Sequence, residues 1–232
     1  MKRTMIFTLT AATAVILTSF SMVSLRSDEV RDLASFDGIG ISISADVYYM
    51  QGNTHEIKIE GDESDIRDLI TEVKNGFLEV KYDNWRARHS KLTLYITSEE
   101  LEQVKVSGSA DFMVEKPLSA DEMALGLSGS GTIRFSRLES DEVDVAISGS
   151  GNAEINGGAA DEIDIKISGS GKFNGEKFKV SECDATLSGS GSVRITVEDE
   201  LNARLSGSGR IYYGGNPRVN SISSGSGKVE AL

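Results

Sequence analysis

Carboxylates recur at fixed spacing in the second half of this chain. Glu122, Glu142, Glu162, Glu182 and Glu200 each stand six residues before a Ser-Gly-Ser-Gly turn. Asp121, Asp141, Asp161 and Asp199 immediately precede four of them, with Ser181 in the remaining place. Asp144, Asp164 and Asp184 follow two residues on, and Asn202 takes that place in the next repeat. Stacked oxygen ligands are the chemistry of calcium. The spacing, however, lacks the glycine–aspartate nonapeptide of calcium-binding parallel rolls. Carboxylates held side by side also repel, so solvent, cations, or Lys166 and Arg204 on the adjacent outward column must screen them. The favoured expectation is an acidic, solvated face. No metal site, catalytic residue or cofactor site is assigned.

Other chemistry is sparse. The two histidines, His55 and His89, lie in the first half, and no His–His or His–Cys pair has metal-ligand spacing. His89 closes a short basic run, Trp85-Arg86-Ala87-Arg88-His89. That run reads either as a solvated loop or as a contact for a glycan ring or an anionic group. The turn serines resemble a hydrolase nucleophile only superficially, because they recur seven times without an accompanying histidine. Arg134, Lys172, Arg194 and Arg210 are scattered. Arg134 and Arg194 share a repeat position three coils apart, too far to act together as a lyase base. Cys183 is the only cysteine and occupies the same repeat position as Val143, Ile163 and Leu201. It reads as a small buried hydrophobe.

The elements that must position these residues follow from the turns. Ser107-Gly108-Ser109-Ala110 is the first, and Ser-Gly-Ser-Gly begins at Ser128, Ser148, Ser168, Ser188, Ser206 and Ser224. The steps are 21, 20, 20, 20, 18 and 18 residues, so one structural unit is repeated. Before each turn, apolar residues alternate, as in Val143, Val145, Ile147 and Ile163, Ile165, Ile167. That pattern places one row of side chains on one face of a strand and excludes a flexible linker. A second apolar pair follows most turns, such as Ile133 and Phe135; in one coil Phe173 stands alone, because Gly175 takes the second place. Coils of about twenty residues are too short for a strand–helix–strand crossover and suit a β-solenoid. Six intervals would make a column about 29 Å long. The turn glycines fit sharp corners where adjacent backbones approach.

The chain has 232 residues and a net charge of −12. Lys2 and Arg3 precede a largely apolar run from Met5 to Phe20, with a small-x-small pattern at Ser19 and Ser21. Residues 1–27 therefore read as a signal peptide or, alternatively, an uncleaved membrane anchor. No cysteine follows the run, so lipoprotein processing is not supported. An acidic, exported domain is a poor match for nucleic acid.

Residues 28–100 lack the turn motif but still read mainly as strands, at 39–43, 57–60, 77–82 and 92–96. Ile66, Leu69, Ile70 and Val73 have helical spacing and predict one short helix within 64–74, capped by Asp62 or Ser64. This half predicts divergent opening coils or a small capping sheet, and Ser221 and Ser223 predict a polar C-terminal cap. The segments Phe36-Asp37-Gly38-Ile39, Ile57-Lys58-Ile59-Glu60-Gly61-Asp62 and Val73-Lys74-Asn75-Gly76-Phe77-Leu78, followed by the serine–glycine coils, carry a resemblance. Over about residues 34–232 the chain resembles the family described as putative auto-transporter adhesin, head GIN domain. The resemblance implies an exported bacterial protein typical of the Bacteroidetes, an adhesion role, and an all-β, right-handed parallel β-helix. It brings no catalytic residues to carry over. The expected organisation is a single β-solenoid domain over 34–232, with divergent N-terminal coils over 34–106 and serine–glycine coils over 107–232. The expected function is a non-enzymatic interaction module, at the cell surface, in the periplasm or secreted. It would bind a glycan, another surface protein or itself. A polysaccharide-active enzyme and a ligand-free envelope component are the alternatives.

Overall fold

At each serine–glycine turn the backbone of one coil lies directly on that of the coil before it. Gly149 has φ 118°, and a Cβ there would lie 2.8 Å from the Gly129 carbonyl oxygen. A Cβ on Gly151 would lie 2.9 Å from the Gly131 oxygen. Glycine is therefore needed twice per corner, first for its dihedral and then for space. The ladder of hydrogen bonds runs through the corner unbroken. Ser150 N donates to Gly129 O at 2.9 Å, and Asn152 N to Gly131 O at 3.0 Å.

The computed structural model describes residues 26–83 and 88–232. They form a β-solenoid of about 6 turns, with coils of roughly 20 residues and one short helix. Two long parallel sheets meet at the serine–glycine corner. The first contains the stretches that end at Gly129, Gly149, Gly169, Gly189, Gly207 and Gly225. The second contains the stretches that begin at Asp111, Thr132, Asn152, Lys172, Ser192, Arg210 and Lys228. A shorter third side pairs Leu118 with Leu138 and Leu138 with Gly158.

Register stacks like on like. Met123, Val143, Ile163, Cys183 and Leu201 form one buried column. Burying such a side chain stabilises by roughly 1.5–3 kcal/mol. Gly175 breaks the pattern for a steric reason. A Cβ there would lie 2.9 Å from Phe173 and 3.1 Å from Ile195, so the Phe173 ring fills the space of both positions. The shortening of the repeat also has a local cause. Gly175 pairs with Ile195 and Lys179 with Thr196, so residues 176–178 have no counterpart in the next coil. Val180 pairs with Val197 and Glu182 with Glu200, which returns one residue and leaves that coil two shorter.

The N-terminal coils stack out of sequence order. Gly38–Ile41 lies between Phe77–Tyr82 on one side and Gln103–Gly108 on the other, parallel to both. Ala45–Gln51 likewise lies between Leu92–Ser98 and Asp111–Val114. The first coil in the chain is thus the second in the stack, and residues 99–102 pass across it to reach the next coil. Ser98, fully buried, fastens this crossing. Its Oγ bonds Glu100 O at 2.6 Å and the Tyr49 hydroxyl at 3.0 Å, while Ser98 O accepts from Gly52 N at 2.9 Å.

Antiparallel strands close this end. Arg26–Asp32 pairs with Glu56–Asp62, which pairs with Leu92–Ser98. Leu69–Lys74 pairs with Phe77–Tyr82 across the Asn75-Gly76 turn. Arg31 ties the two edges together, donating to Leu69 O at 2.7 Å and Ile66 O at 2.9 Å. The expected helix is shorter than its spacing predicts. It spans Glu63–Asp68, with the Asp62 side chain capping Ser64 N at 3.0 Å, and residues from Leu69 on are strand. Both turn residues, Asn75 and Gly76, have positive φ, as a two-residue hairpin turn requires, and the hairpin takes Ile70 and Val73 out of helical reach. Divergent coils and a capping sheet are both present. The sheet reaches back to Arg26, ahead of the expected start at 34; the remainder of the expected export segment, 1–25, lies outside the described residues. At the other end, exposed Ser221 and Ser223 pair with Ala203 and Leu205 of the coil before.

Gly149→Val is expected to cost at least about 2 kcal/mol, through positive φ and backbone collision. Ala146→Val, on the exposed side of the same strand, should stay within about 0.5 kcal/mol of wild type. Equal melting temperatures for the two variants would refute the packed corner. Ser98→Ala should cost roughly 1–3 kcal/mol, because it removes the donor to Glu100 O and leaves the Tyr49 hydroxyl only its longer contact to Ser98 O at 3.3 Å. If Tyr49→Phe then costs as much in the Ser98→Ala background as in wild type, the two groups are not coupled.

Candidate functional site

The carboxylate columns stack as their spacing predicts. Glu122, Glu142, Glu162, Glu182 and Glu200 are successive partners on neighbouring strands, as are Asp144, Asp164 and Asp184. Burial pushes the Glu162 carboxyl up, and Glu142, Glu182, Asp184 and Asp164 add to the shift. Relief is local. Lys166 Nζ lies 2.6 Å from Asp164, and Arg218 pairs with Glu200, which also accepts from Asn220 at 3.0 Å. Lys166 screens the column as expected. Arg204 forms no ion pair among the described residues; Arg218 relieves the end of the glutamate column instead. Among the described residues no three His, Cys, Asp or Glu side chains converge to hold a metal ion. The columns run along the outside of the sheet, so their carboxylates point in parallel rather than towards one centre.

Of the remaining sequence candidates, Lys172, Arg194 and Arg210 are not scattered as their sequence positions suggest but stand on adjacent strands of the second sheet; the others are dispersed. Trp85 and Arg86 lie outside the described residues; Arg88 is exposed. The His89 ring stacks on Tyr82 with centroids 3.5 Å apart, and its Nε2 is 3.5 Å from Asp68. That separation is an ion-pair distance, but the contact lacks hydrogen-bond geometry, so Nε2 has no hydrogen-bond partner. The Tyr82 phenol is pushed up to about 12, by burial first and then by Asp65 and Asp68. His55 sits edge-on to Phe36 at 5.3 Å. Both histidines belong to the N-terminal end, while the corner serines run down the stack. Cys183 is 1% exposed, and burial, followed by Asp184 and Asp164, pushes its thiol up to about 12. It is a core residue.

One arrangement was not visible in the repeat. On the outside of the second sheet, a single register row crosses eleven strands. It runs from Val30 through Lys58, Tyr95, Tyr48 and Met113 to Arg134. It continues through Glu154, Asn174, Arg194 and Tyr212 to Glu230. Tyr48 and Tyr95 stack at 5.4 Å, with Lys58 Nζ 5.7 Å from the Tyr95 centroid. Arg194 lies 4.7 Å over the Tyr212 ring. The outward edges and hydroxyls of these rings, beside cations held in place on their faces, can pack against and hydrogen-bond sugars and pair with anionic groups. The out-of-order coil builds the tyrosine pair, because it lays the strand bearing Tyr48 beside the one bearing Tyr95. The repeat position shared by Arg134 and Arg194 is legible in the sequence; the tyrosine pair in the same row is not.

Fold and surface define a rigid β-solenoid whose chemistry is carried on its exterior. The chain belongs to the family described as putative auto-transporter adhesin, head GIN domain, whose model matches residues 35–217. Solved structures share the fold. A protein of Bacteroides fragilis NCTC 9343 described as a putative adhesin aligns with TM-score 0.82 at 20% identity, covering 89% of this chain and 97% of that one. A putative adhesin of Parabacteroides merdae ATCC 43184 aligns with TM-score 0.72 at 27% identity, covering 89% and 96%. A protein of Parabacteroides distasonis ATCC 8503 described as a putative lipid binding protein aligns with TM-score 0.74 at 22% identity, covering 89% and 96%. A comparison with curated proteins finds no match.

The raised Glu162 carboxyl sets a sign. The folded state holds the proton more tightly than the unfolded chain, so ionisation costs stability as pH rises from the ordinary value of 4.5 through the raised one. Glu162→Gln should therefore raise the melting temperature at pH 7. The gain should shrink as pH falls below that window and as salt is added. A gain independent of pH would show that the charge is not its source.

Proposed function

We propose that this protein is an exported, non-enzymatic interaction module that binds glycan through the exterior of its second sheet. The carrying observation is the register row across that sheet, with its Tyr48–Tyr95 stack and the Lys58 and Arg194 cations over aromatic rings. The face is open and stiff and offers one contact row per coil, so weak contacts along an extended partner add through effective concentration. The adhesin-type family supports a binding rather than a catalytic role. The segment ahead of the strand that begins at Arg26 would act as the export signal or as an anchor to the membrane. No helix among the described residues is long and apolar enough to cross a membrane.

The acidic columns of the first sheet would keep the stack soluble and discourage lateral association, rather than hold calcium. The chain would thus present one face for contact and one for solvent.

A polysaccharide array probed with the full chain, with calcium and with chelator, tests this reading. The expected outcome is selective glycan binding that calcium does not alter. Tyr48→Ala with Tyr95→Ala should weaken it at least about tenfold, as loss of paired aromatic anchors does. Capture of no glycan by the folded chain, or capture untouched by the tyrosine substitutions, would overturn it.

A further inference from the structure

We propose that the C-terminal half of the second sheet's exterior recognises acidic polysaccharide, whose regularly spaced carboxylates pair with Lys172, Arg194, Arg210 and Lys228. This rests on the glycan-binding reading above and names the ligand class.

The patch is cationic in a chain of net charge −12. Lys172, Ser192, Arg210 and Lys228 are successive register partners, and Asn174, Arg194 and Tyr212 form the row beside them. Four strands span about 14 Å along the stack. Part of the local charge is answered within the protein. Glu176 lies 3.7 Å from Arg194, and Glu230 lies 3.9 Å from Lys228. Lys172 and Arg210 have no carboxylate within 4.0 Å among the described residues. Exposed ion pairs at such long distances contribute little, so most of the cationic charge stays available to a partner.

Geometry narrows the partner. Arg194 rests on the Tyr212 ring, which holds the guanidinium in place and lessens the entropy lost when it binds an anion. Ser192 and Asn174 supply neutral hydrogen-bonding groups between the cations, as hydroxyl-rich sugars require. A depression here, bounded by Asn152, Glu154, Lys172, Asn174, Ser192 and Arg194, is about 180 Å³, too small to enclose a ligand, and its one carboxylate, Glu154, is already paired with Arg134 at 2.8 Å. An extended chain lying across the strands fits; an enclosed small molecule does not. Among the described residues, the large exposed apolar side chains are Val30, Met50, Tyr95, Ile222 and Leu232; of these Leu232, whose amide bonds Tyr213 O at 2.9 Å, lies at this end of the sheet, and a single such side chain is too little to anchor in a lipid bilayer.

The test uses polygalacturonate, its carboxyl-reduced neutral counterpart, single-stranded DNA and vesicles containing anionic lipid. Two charge-reversed variants of the full chain change net charge equally: Lys172→Glu with Arg210→Glu on the second sheet, and Lys105→Glu with Lys166→Glu on the first. Melting temperatures confirm that both fold. The expected result is polygalacturonate binding that weakens steeply with salt and falls at least about tenfold for the second-sheet pair. The first-sheet pair should stay within about twofold of wild type, and the neutral chain should not bind. Equal loss in both variants, equal binding of the neutral chain or of DNA, binding to vesicles alone, or no binding by the folded protein would each overturn the proposal. Binding of a neutral glycan that is lost on Tyr48→Ala with Tyr95→Ala would overturn it while leaving the glycan-binding function standing.

Discussion

The close approach of successive backbones at the glycine corners governs the rest of the molecule. A Cβ on Gly129, Gly169, Gly189 or Gly207 would lie 2.4–2.5 Å from the carbonyl oxygen of the corresponding glycine one coil back. That oxygen is also an acceptor: Gly149 O takes the Ser170 amide at 2.8 Å, and Gly169 O takes the Ser190 amide at 2.8 Å. A side chain at the corner would therefore break the ladder where the chain must turn. Because the corner permits one stacking distance and one register, each residue of a coil stands over its counterpart in the next. The inward apolar columns and the outward polar columns are two consequences of that one constraint.

Strict register has opposite effects inside and outside. Inside, like on like fills space, and a misfit such as Gly175 is answered by its neighbour Phe173. Outside, it forces carboxylate onto carboxylate along the first sheet. The magnitudes explain why the stack tolerates this. Two exposed charges about 4 Å apart in water repel by about 1 kcal/mol before salt screening, whereas each buried aliphatic side chain contributes roughly 1.5–3 kcal/mol. Burial wins in every coil, and the end of the glutamate column is relieved by Arg218 and Asn220. On the second sheet the column is mixed instead, with Arg134 over Glu154 at 2.8 Å.

Much of this was legible in the sequence because it repeats. The turns, the inward columns and the carboxylate columns recur at one period, and register follows from period. What does not repeat was hidden. The exposed row of the second sheet changes residue type at nearly every coil, from Met113 to Arg134, Glu154, Asn174, Arg194 and Tyr212, so it leaves no periodic trace. The stacked tyrosines depend on a coil placed out of chain order, and reading coils in sequence cannot bring Tyr48 beside Tyr95. The end of the helix is hidden for a related reason. Leu69 and Val73 share a face in a strand as well as in a helix, so their spacing does not separate the two, and the Asn75-Gly76 turn decides for the hairpin.

Net charge was a poor guide to what the surface can hold. A value of −12 describes the whole chain, but screening at physiological salt confines exposed charges to roughly 8 Å. The stacked carboxylate columns lie on the first sheet, while Lys172, Arg194, Arg210 and Lys228, interspersed with Glu154, Glu176 and Glu230, lie on the outside of the second. With the core between the two exteriors, each face acts on its own surroundings. The overall charge acts at long range, slowing the approach of any polyanion, and contact is decided by the few strands it touches. A stiff solenoid can therefore remain soluble through one face and adhesive through another, a separation that a small globular domain with a single mixed surface achieves less readily.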